Sequence, residues 1–317
     1  MEYREENVYN TYSNFLKEKF GEKVYKIPIK QELTCPNRDG NCGVGGCIFC
    51  SEEGGSHENL STELSVTQQL EKNIGYIGKR YNANKFIAYF QNFTNTYLPL
   101  DEFKKNLSDV AKPNVVGISI STRPDCVSDE YLEAIQLYSK DYMITFELGL
   151  QTVNYKSLIK INRGHTLAEF IDAAIRIKKF GYRVCTHIIL NLPWDDMVDV
   201  IECAKILSAL GVDEVKLHSL YITDGTVLGE MYKNNEIEII SQDEYEERVI
   251  NFLSYLSDDI VVQRIIGRAP EENSLFVNWN TSWWKIRDNI VKKMVDRNIH
   301  QGTSANYLNK SFEIKSK

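Results

Sequence analysis

Long apolar runs are missing from this sequence: none approaches the eighteen or so residues that a membrane span requires, so no membrane segment is expected. The opening MEYREENVYNTYSNF lacks the basic start and apolar middle of a secretory signal. Positive charge is short as well. With 37 Lys and Arg against 44 Asp and Glu, the formal net charge is −7, which leaves no global nucleic-acid footprint. Seven cysteines, an odd number, argue against a secreted disulfide framework. A reducing cytoplasm is the expected setting, where thiols stay available for metals or catalysis. No internal repeat, low-complexity tract or linker divides the chain.

The 317 residues, 43% hydrophobic and 26% charged, are those of an ordinary globular protein. A chain of this length buries roughly 75% of its unfolded surface and needs neither disulfides nor a metal to fold. Charge is uneven only near the end, where residues 285–317 carry eight Lys or Arg against three acids. A solvated helix face with a charged tail is the ordinary reading of such a run.

The dense feature is Cys35-Pro-Asn-Arg-Asp-Gly-Asn-Cys-Gly-Val-Gly-Gly-Cys-Ile-Phe-Cys50, with four of the seven cysteines and four glycines in sixteen residues. A strand at 24–30 runs into it, after a short helix at 8–20. Beyond it, a helix at 66–81 is followed by apolar, β-branched or aromatic runs at 85–90, 115–120, 143–148, 184–190 and 213–217. Each leads into a polar stretch and then helical periodicity, about thirty residues per cycle. That is the rhythm of βα units on a parallel sheet covered by helices. The fold class is therefore α/β, a partial (β/α)6 barrel over residues 1–226. Residues 227–317 form a C-terminal α/β extension packed on it, with a helix at 242–257, a strand at 260–265 and a basic helix at 283–298.

In such barrels chemistry gathers at the carboxyl ends of the strands. Those ends read QNFTNTY (91–97), STRPD (121–125), GLQ and NRGH (149–165), NLPWDD (191–196) and HSLYITDGT (218–226). For the cysteine loop three readings compete. Four thiolates could close a structural zinc tetrahedron, although only Cys47 and Cys50 form a Cys-x2-Cys pair. That pair could be redox-active. Three cysteines could instead hold an iron–sulfur cluster with one iron left open.

CPNRDG, GGCIFC, GISISTRPDC, ELGLQT and INRGH, in this order, closely resemble the radical S-adenosylmethionine (SAM) superfamily. The nearest branch includes the elongator catalytic subunit and short single-barrel bacterial proteins; the likeness runs from about Val24 to Thr226 and continues more weakly to the end. The resemblance implies that Cys35, Cys47 and Cys50 ligate a [4Fe–4S] cluster whose open iron chelates SAM, giving a 5′-deoxyadenosyl radical. It sets Phe49 near the adenine. Gln91, Thr94 and Asn95 stand by position where relatives carry Gly-Gly-Glu for the methionine amino group. Thr122, Arg123, Glu147 and Gln151 would flank ribose and carboxylate, with Arg123, Gln151 and His165 nearest the chemistry. Arg163 resembles an element facing the barrel mouth. Cys42 lies inside the ligand loop without being required, and Asn191 stands where relatives have glycine.

The resemblance further implies a reducing partner such as flavodoxin or ferredoxin. Its branch acts on wobble uridines of tRNA, and the basic final helix with Trp279, Trp283 and Trp284 offers a place for RNA, although core packing is the ordinary reading of those tryptophans. A small-molecule substrate is the alternative, favoured by the acidic balance; a non-catalytic zinc protein is the rival from another class. Cys126, Cys185 and Cys203 read as small core fillers. His57, His187 and His218 read as hydrogen-bonding histidines.

Overall fold

The fold was obtained as a computed structural model that describes residues 3–51, 62–268 and 273–308. His57 and the basic residues from 309 onward lie outside these. In chain order the elements are α1 (Tyr12–Phe20), β1 (Val24–Ile29), α2 (Val66–Tyr81), β2 (Lys85–Phe90), α3 (Leu100–Val110), β3 (Val115–Thr122) and α4 (Asp129–Ile135). Then follow β4 (Met143–Gln151), α5 (Tyr155–Lys160), α6 (Leu167–Lys179), β5 (Arg183–Ile189), α7 (Met197–Leu210) and β6 (Glu214–His218). The last are β7 (Ile222–Thr223), α8 (Val227–Lys233), α9 (Gln242–Tyr255), β8 (Val261–Arg264), β9 (Ser274–Phe276) and α10 (Trp283–Asp296).

The expected strands form one sheet in the order β1-β2-β3-β4-β5-β6-β8, every pair parallel. Six strands were expected in the barrel. The seventh, β8, comes from the stretch assigned to the extension and lies beside β6. The sheet curls so that its edges meet across the interior: Lys26 Nζ on β1 donates to Gln263 Oε1 on β8 at 2.9 Å. Thr11, just before α1, bridges to Val262, and Val262 N donates to Asn10 O at 2.8 Å, which covers part of the β8 edge.

Local chemistry starts and stops the covering helices. Ser65 with Gln68, Thr166 with Glu169 and Asp196 with Asp199 form capping boxes on α2, α6 and α7, satisfying orphan N–H groups. Gly211, left-handed at φ 61°, ends α7. Between sheet and helices lies the main core, with Ile27, Phe86, Ile118, Phe146, Phe170 and Leu207 all buried. A second, smaller core joins Leu158, Ile161, Leu192, Leu220, Leu228 and Ile237 to Ile48 and Phe49 of the cysteine loop. The antiparallel pair β7–β9 and helix α8 belong to this cap; the sequence reading did not foresee them.

The basic helix α10 is neutralised in part, with Lys285 and Lys292 exposed and Lys293 and Arg297 paired. Lys293 pairs with Asp243, Glu246 and Glu247 of α9, and Arg297 grips Glu247 through two bonds of 2.7 and 2.8 Å. Trp279 donates its indole N–H to Ile240 O at 2.7 Å and, with Trp283, packs against the main core; Trp284 is exposed.

Candidate active site

Parallel strands buried on both faces are usually apolar throughout, so a charged residue in the middle of one points into the barrel. Lys26 on β1, Glu147 on β4 and Lys216 on β6 are such residues. Glu147, 1% exposed, accepts from Lys26, from Lys216 at 3.2 Å and from His187 Nε2 at 2.8 Å. Burial opposes its ionisation, but Lys216, Lys26 and His187 together hold its carboxyl well below the usual carboxylate range. Lys216 also donates to Tyr89 Oη at 2.9 Å. Burial and the Lys216 charge push His187 down to about 4, so its ring is neutral near pH 7. Glu147 is thus the hub of an interior ion network, its carboxylate fully engaged by the protein. Lys26 and Lys216 went unremarked at the level of sequence, although lysine inside VYKIPI and EVKLH was a readable signal.

Above this layer lies the cysteine loop, fastened on two sides. Ile48 N donates to Ile161 O at 3.1 Å, Leu228 N donates to Ile48 O at 2.9 Å, and Asn162 Nδ2 donates to Gly46 O at 2.8 Å. Phe49 packs into the second core beside α8. Each expected ligand sulfur meets an arginine N–H: Arg123 Nη1 is 4.0 Å from Cys35, Arg163 Nη1 is 3.4 Å from Cys47, and Arg38 Nη2 is 3.3 Å from Cys50.

Arg123, 2% exposed, is locked bidentate onto Asp125 and donates to Arg163 O at 2.8 Å. Its Nη2 is also 3.5 Å from Cys42, whose side chain is exposed. Cys126 is not a core filler: it is half-buried beside Asp125 and its thiol donates there at 3.8 Å, while Cys185 and Cys203 are buried. Burial and Asp125 push the Cys126 thiol up to about 12.

The remaining strand ends divide by environment. Asn95 donates to the Phe90, Asn92 and Ser121 carbonyls and fixes the loop after β2. Thr94 is buried in that loop, and Gln91, half-buried, donates its N–H to Ile29 O. The Thr122 hydroxyl lies 2.6 Å from that of Thr96. Gln151 ends β4 beyond a register shift with left-handed φ 77°, an uncommon conformation for glutamine that suits a functional strand end. His165 sits between the Gly149 and Thr166 carbonyls; burial and Arg163 push it down to about 3, so it is neutral and has one N–H to donate. Asn191 Oδ1 accepts from Leu220 N at 2.6 Å and ties the β5 end to the β6 end.

Tetrahedral zinc needs its thiolates in mutual contact, with Zn–S near 2.3 Å. Among the described residues, the three-ligand set whose donor atoms lie within 4.8 Å of one another is Glu147, Cys185 and His187, not the cysteines of the loop. Three thiols spread more widely, each beside a cationic N–H, suit a larger anionic centre such as a cluster. Glu147 is already claimed by two lysines.

A curled parallel sheet with a cysteine loop at its carboxyl end defines a class of barrel enzyme. The Radical SAM superfamily model matches residues 39–207 and the Radical_SAM C-terminal domain model matches 212–296; the chain belongs to this superfamily and is an enzyme of it. Membership implies a [4Fe–4S] cluster and SAM. The chain is 36% identical over 300 residues to "Uncharacterized protein YtqA" of Bacillus subtilis, covering 94% of this chain and 92% of that protein. It is 31% identical over 160 residues to a tRNA uridine(34) acetyltransferase of Methanocaldococcus jannaschii, 49% of this chain but only 28% of that protein. The archaeal Elp3 structure from Methanocaldococcus infernus superposes with a TM-score of 0.68 at 19% identity, over 88% of this chain and 64% of that one. That likeness concerns the fold. No helix among the described residues is long and apolar enough to cross a membrane.

Proposed function

We propose that this enzyme modifies tRNA, acting on the side chain of the wobble uridine, with Cys35, Cys47 and Cys50 as the cluster ligands. The observation that carries the substrate is the match of its barrel to a protein named for uridine 34 of tRNA. Because the chain spans 28% of that relative, the whole acetyl transfer is not carried over. When bound, cluster and SAM supply a 5′-deoxyadenosyl radical for hydrogen abstraction.

The chain's own groups do the rest. Arg123 braces the cysteine loop against the end of β3 and fixes the spacing of Cys35. Thr122, Gln151 and Gln91 offer hydrogen bonds toward the zwitterion and ribose, and Phe49 offers an aromatic wall. Asn95 and Thr94 hold the β2 loop in shape, and Glu147 keeps the charged interior ordered. The curled sheet would shield the chemistry of bound cluster and SAM from water. A one-electron donor such as flavodoxin or ferredoxin supplies the reductant.

A small-molecule substrate is the second reading, favoured by the acidic balance of the chain and by the engagement of Lys293 and Arg297 with acids of α9. Comparing modified nucleosides of bulk tRNA from cells with and without the protein decides between them. Accumulation of an unmodified wobble uridine form is expected; an unchanged profile moves the assignment to the small molecule. A colourless protein with one tight zinc after anaerobic reconstitution would remove the enzymatic role of the loop.

A further inference from the structure

We propose that Arg38, Arg123 and Arg163 form a cationic cradle, one guanidinium per ligand sulfur, that retains the cluster and raises its reduction potential. The inference rests on the assignment of Cys35, Cys47 and Cys50 as cluster ligands. Each arginine comes from a different part of the chain. Arg38 lies inside the loop, Arg123 follows β3, and Arg163 follows α5, yet their N–H groups reach Cys50, Cys35 and Cys47 at 3.3, 4.0 and 3.4 Å.

Each is held in place by other bonds. Arg163 donates to Gly149 O at 2.6 and 3.2 Å, Arg123 to Asp125 and to Arg163 O, and Arg38 to the Cys50 and Ser51 carbonyls. Each also packs over a glycine. A Cβ at Gly149 would lie 2.7 Å from Arg163 Nη2, one at Gly164 3.2 Å from Arg123 Nη2, and one at Gly46 3.0 Å from Arg38 Cγ. Gly46 and Gly164 are also called for by their left-handed φ of 79° and 77°, whereas at Gly149, which has no such φ, it is the Arg163 guanidinium that leaves no room for a side chain.

A cluster on three thiolates is anionic and gains a further negative charge on reduction. Cations and N–H···S bonds at its ligands favour the reduced state and offset the thiolate charge. Asp125 shares the charge of Arg123, so Arg163 and Arg38 should contribute most.

The test is an anaerobic potentiometric titration of the reconstituted full-length protein without SAM, followed by electron paramagnetic resonance, with iron and sulfide counted per chain. Arg163→Gln and Arg38→Gln should shift the midpoint to more negative potential and lose iron faster to a chelator. Arg163→Lys, which keeps the charge and loses the planar fork, should fall between. Arg80→Gln, on the exposed face of α2, should match the parent. If folded Arg163→Gln and Arg38→Gln titrate at the parent's potential and keep its iron, the cradle is refuted; should Arg163→Gln not fold, Arg38→Gln decides alone. A parent protein that takes up no iron and sulfide refutes the ligand assignment instead.

Discussion

Cys42 and Cys35 both meet the guanidinium of Arg123, yet they differ in surroundings: Cys42 is exposed and Cys35, at the start of the loop, is half-buried. Replacing Cys35 with Ala should therefore abolish iron retention and SAM cleavage, and Cys42→Ala should leave both largely intact. Iron content after reconstitution and 5′-deoxyadenosine yield check this; equal loss in the two variants would make Cys42 a ligand. Asp195 offers a test in protonation. Burial pushes its carboxyl up to about 6, against the Ser157 hydroxyl that donates to it at 2.5 Å. An acid whose folded pKa is raised binds its proton more tightly in the native state. Stability should fall as pH rises from near 4 through 6, by an order of 2–3 kcal/mol for the full shift. Asp195→Asn keeps the hydrogen bond without the charge and should flatten that dependence in urea melts at pH 4 and 7. An unchanged slope would mean that Asp195 ionises freely in the fold.

The carboxyl end of β1 is pinned by a side chain from a neighbouring helix. Gln69 of α2, 1% exposed, both accepts from Lys30 N and donates to Lys30 O, so the helix grips the residue where β1 enters the loop leading to the cysteines. Gln69→Met should leave both Lys30 groups without this partner and cost about 2 kcal/mol, read as a lowered urea midpoint at constant slope. At this scale the sequence was most readable. The α2 helix and β2 occur at the expected residues because helical periodicity and a short apolar run are strong local signals, and the Ser65 capping box agrees with them. The β7–β9 pair was hidden because it joins two and three residues some fifty positions apart, too short for any periodicity. The cysteine loop stood out through its density of thiols, with the ligand set proposed from the resemblance rather than from spacing, whereas the ionic interior did not stand out. Lys26 and Lys216 interrupt their strands only once each, and nothing local says that both will meet Glu147. The acidic start of α9 was readable in the sequence, but its pairing with Lys293 was not, because charge pairing between helices depends on packing, not on either helix alone.

Across the whole molecule, the curl of the sheet makes its first and last strands interdependent. β8, contributed by residues beyond 226, pairs with β6 along Glu214, Val215 and Lys216, and its Gln263 holds Lys26 of β1 and Glu214 of β6. Helices α7 and α9 pack over the same edge, and Arg248 of α9 donates to Leu190 O at 3.0 Å, at the end of β5. A chain cut after Thr226 would expose the β6 edge, leave Glu214 without Gln263 and strip Lys26 of one acceptor. Such a fragment should show no cooperative thermal transition and should aggregate on refolding, while the full-length chain melts in one step. If residues 1–226 instead melt cooperatively and take up iron and sulfide, the barrel is an independent unit. The C-terminal segment would then be free to serve another purpose, such as contact with the substrate. On the observed pairing the two parts share one sheet, and the interior ion network on which the site rests draws on both of them, Lys26 from β1 and Gln263 from β8.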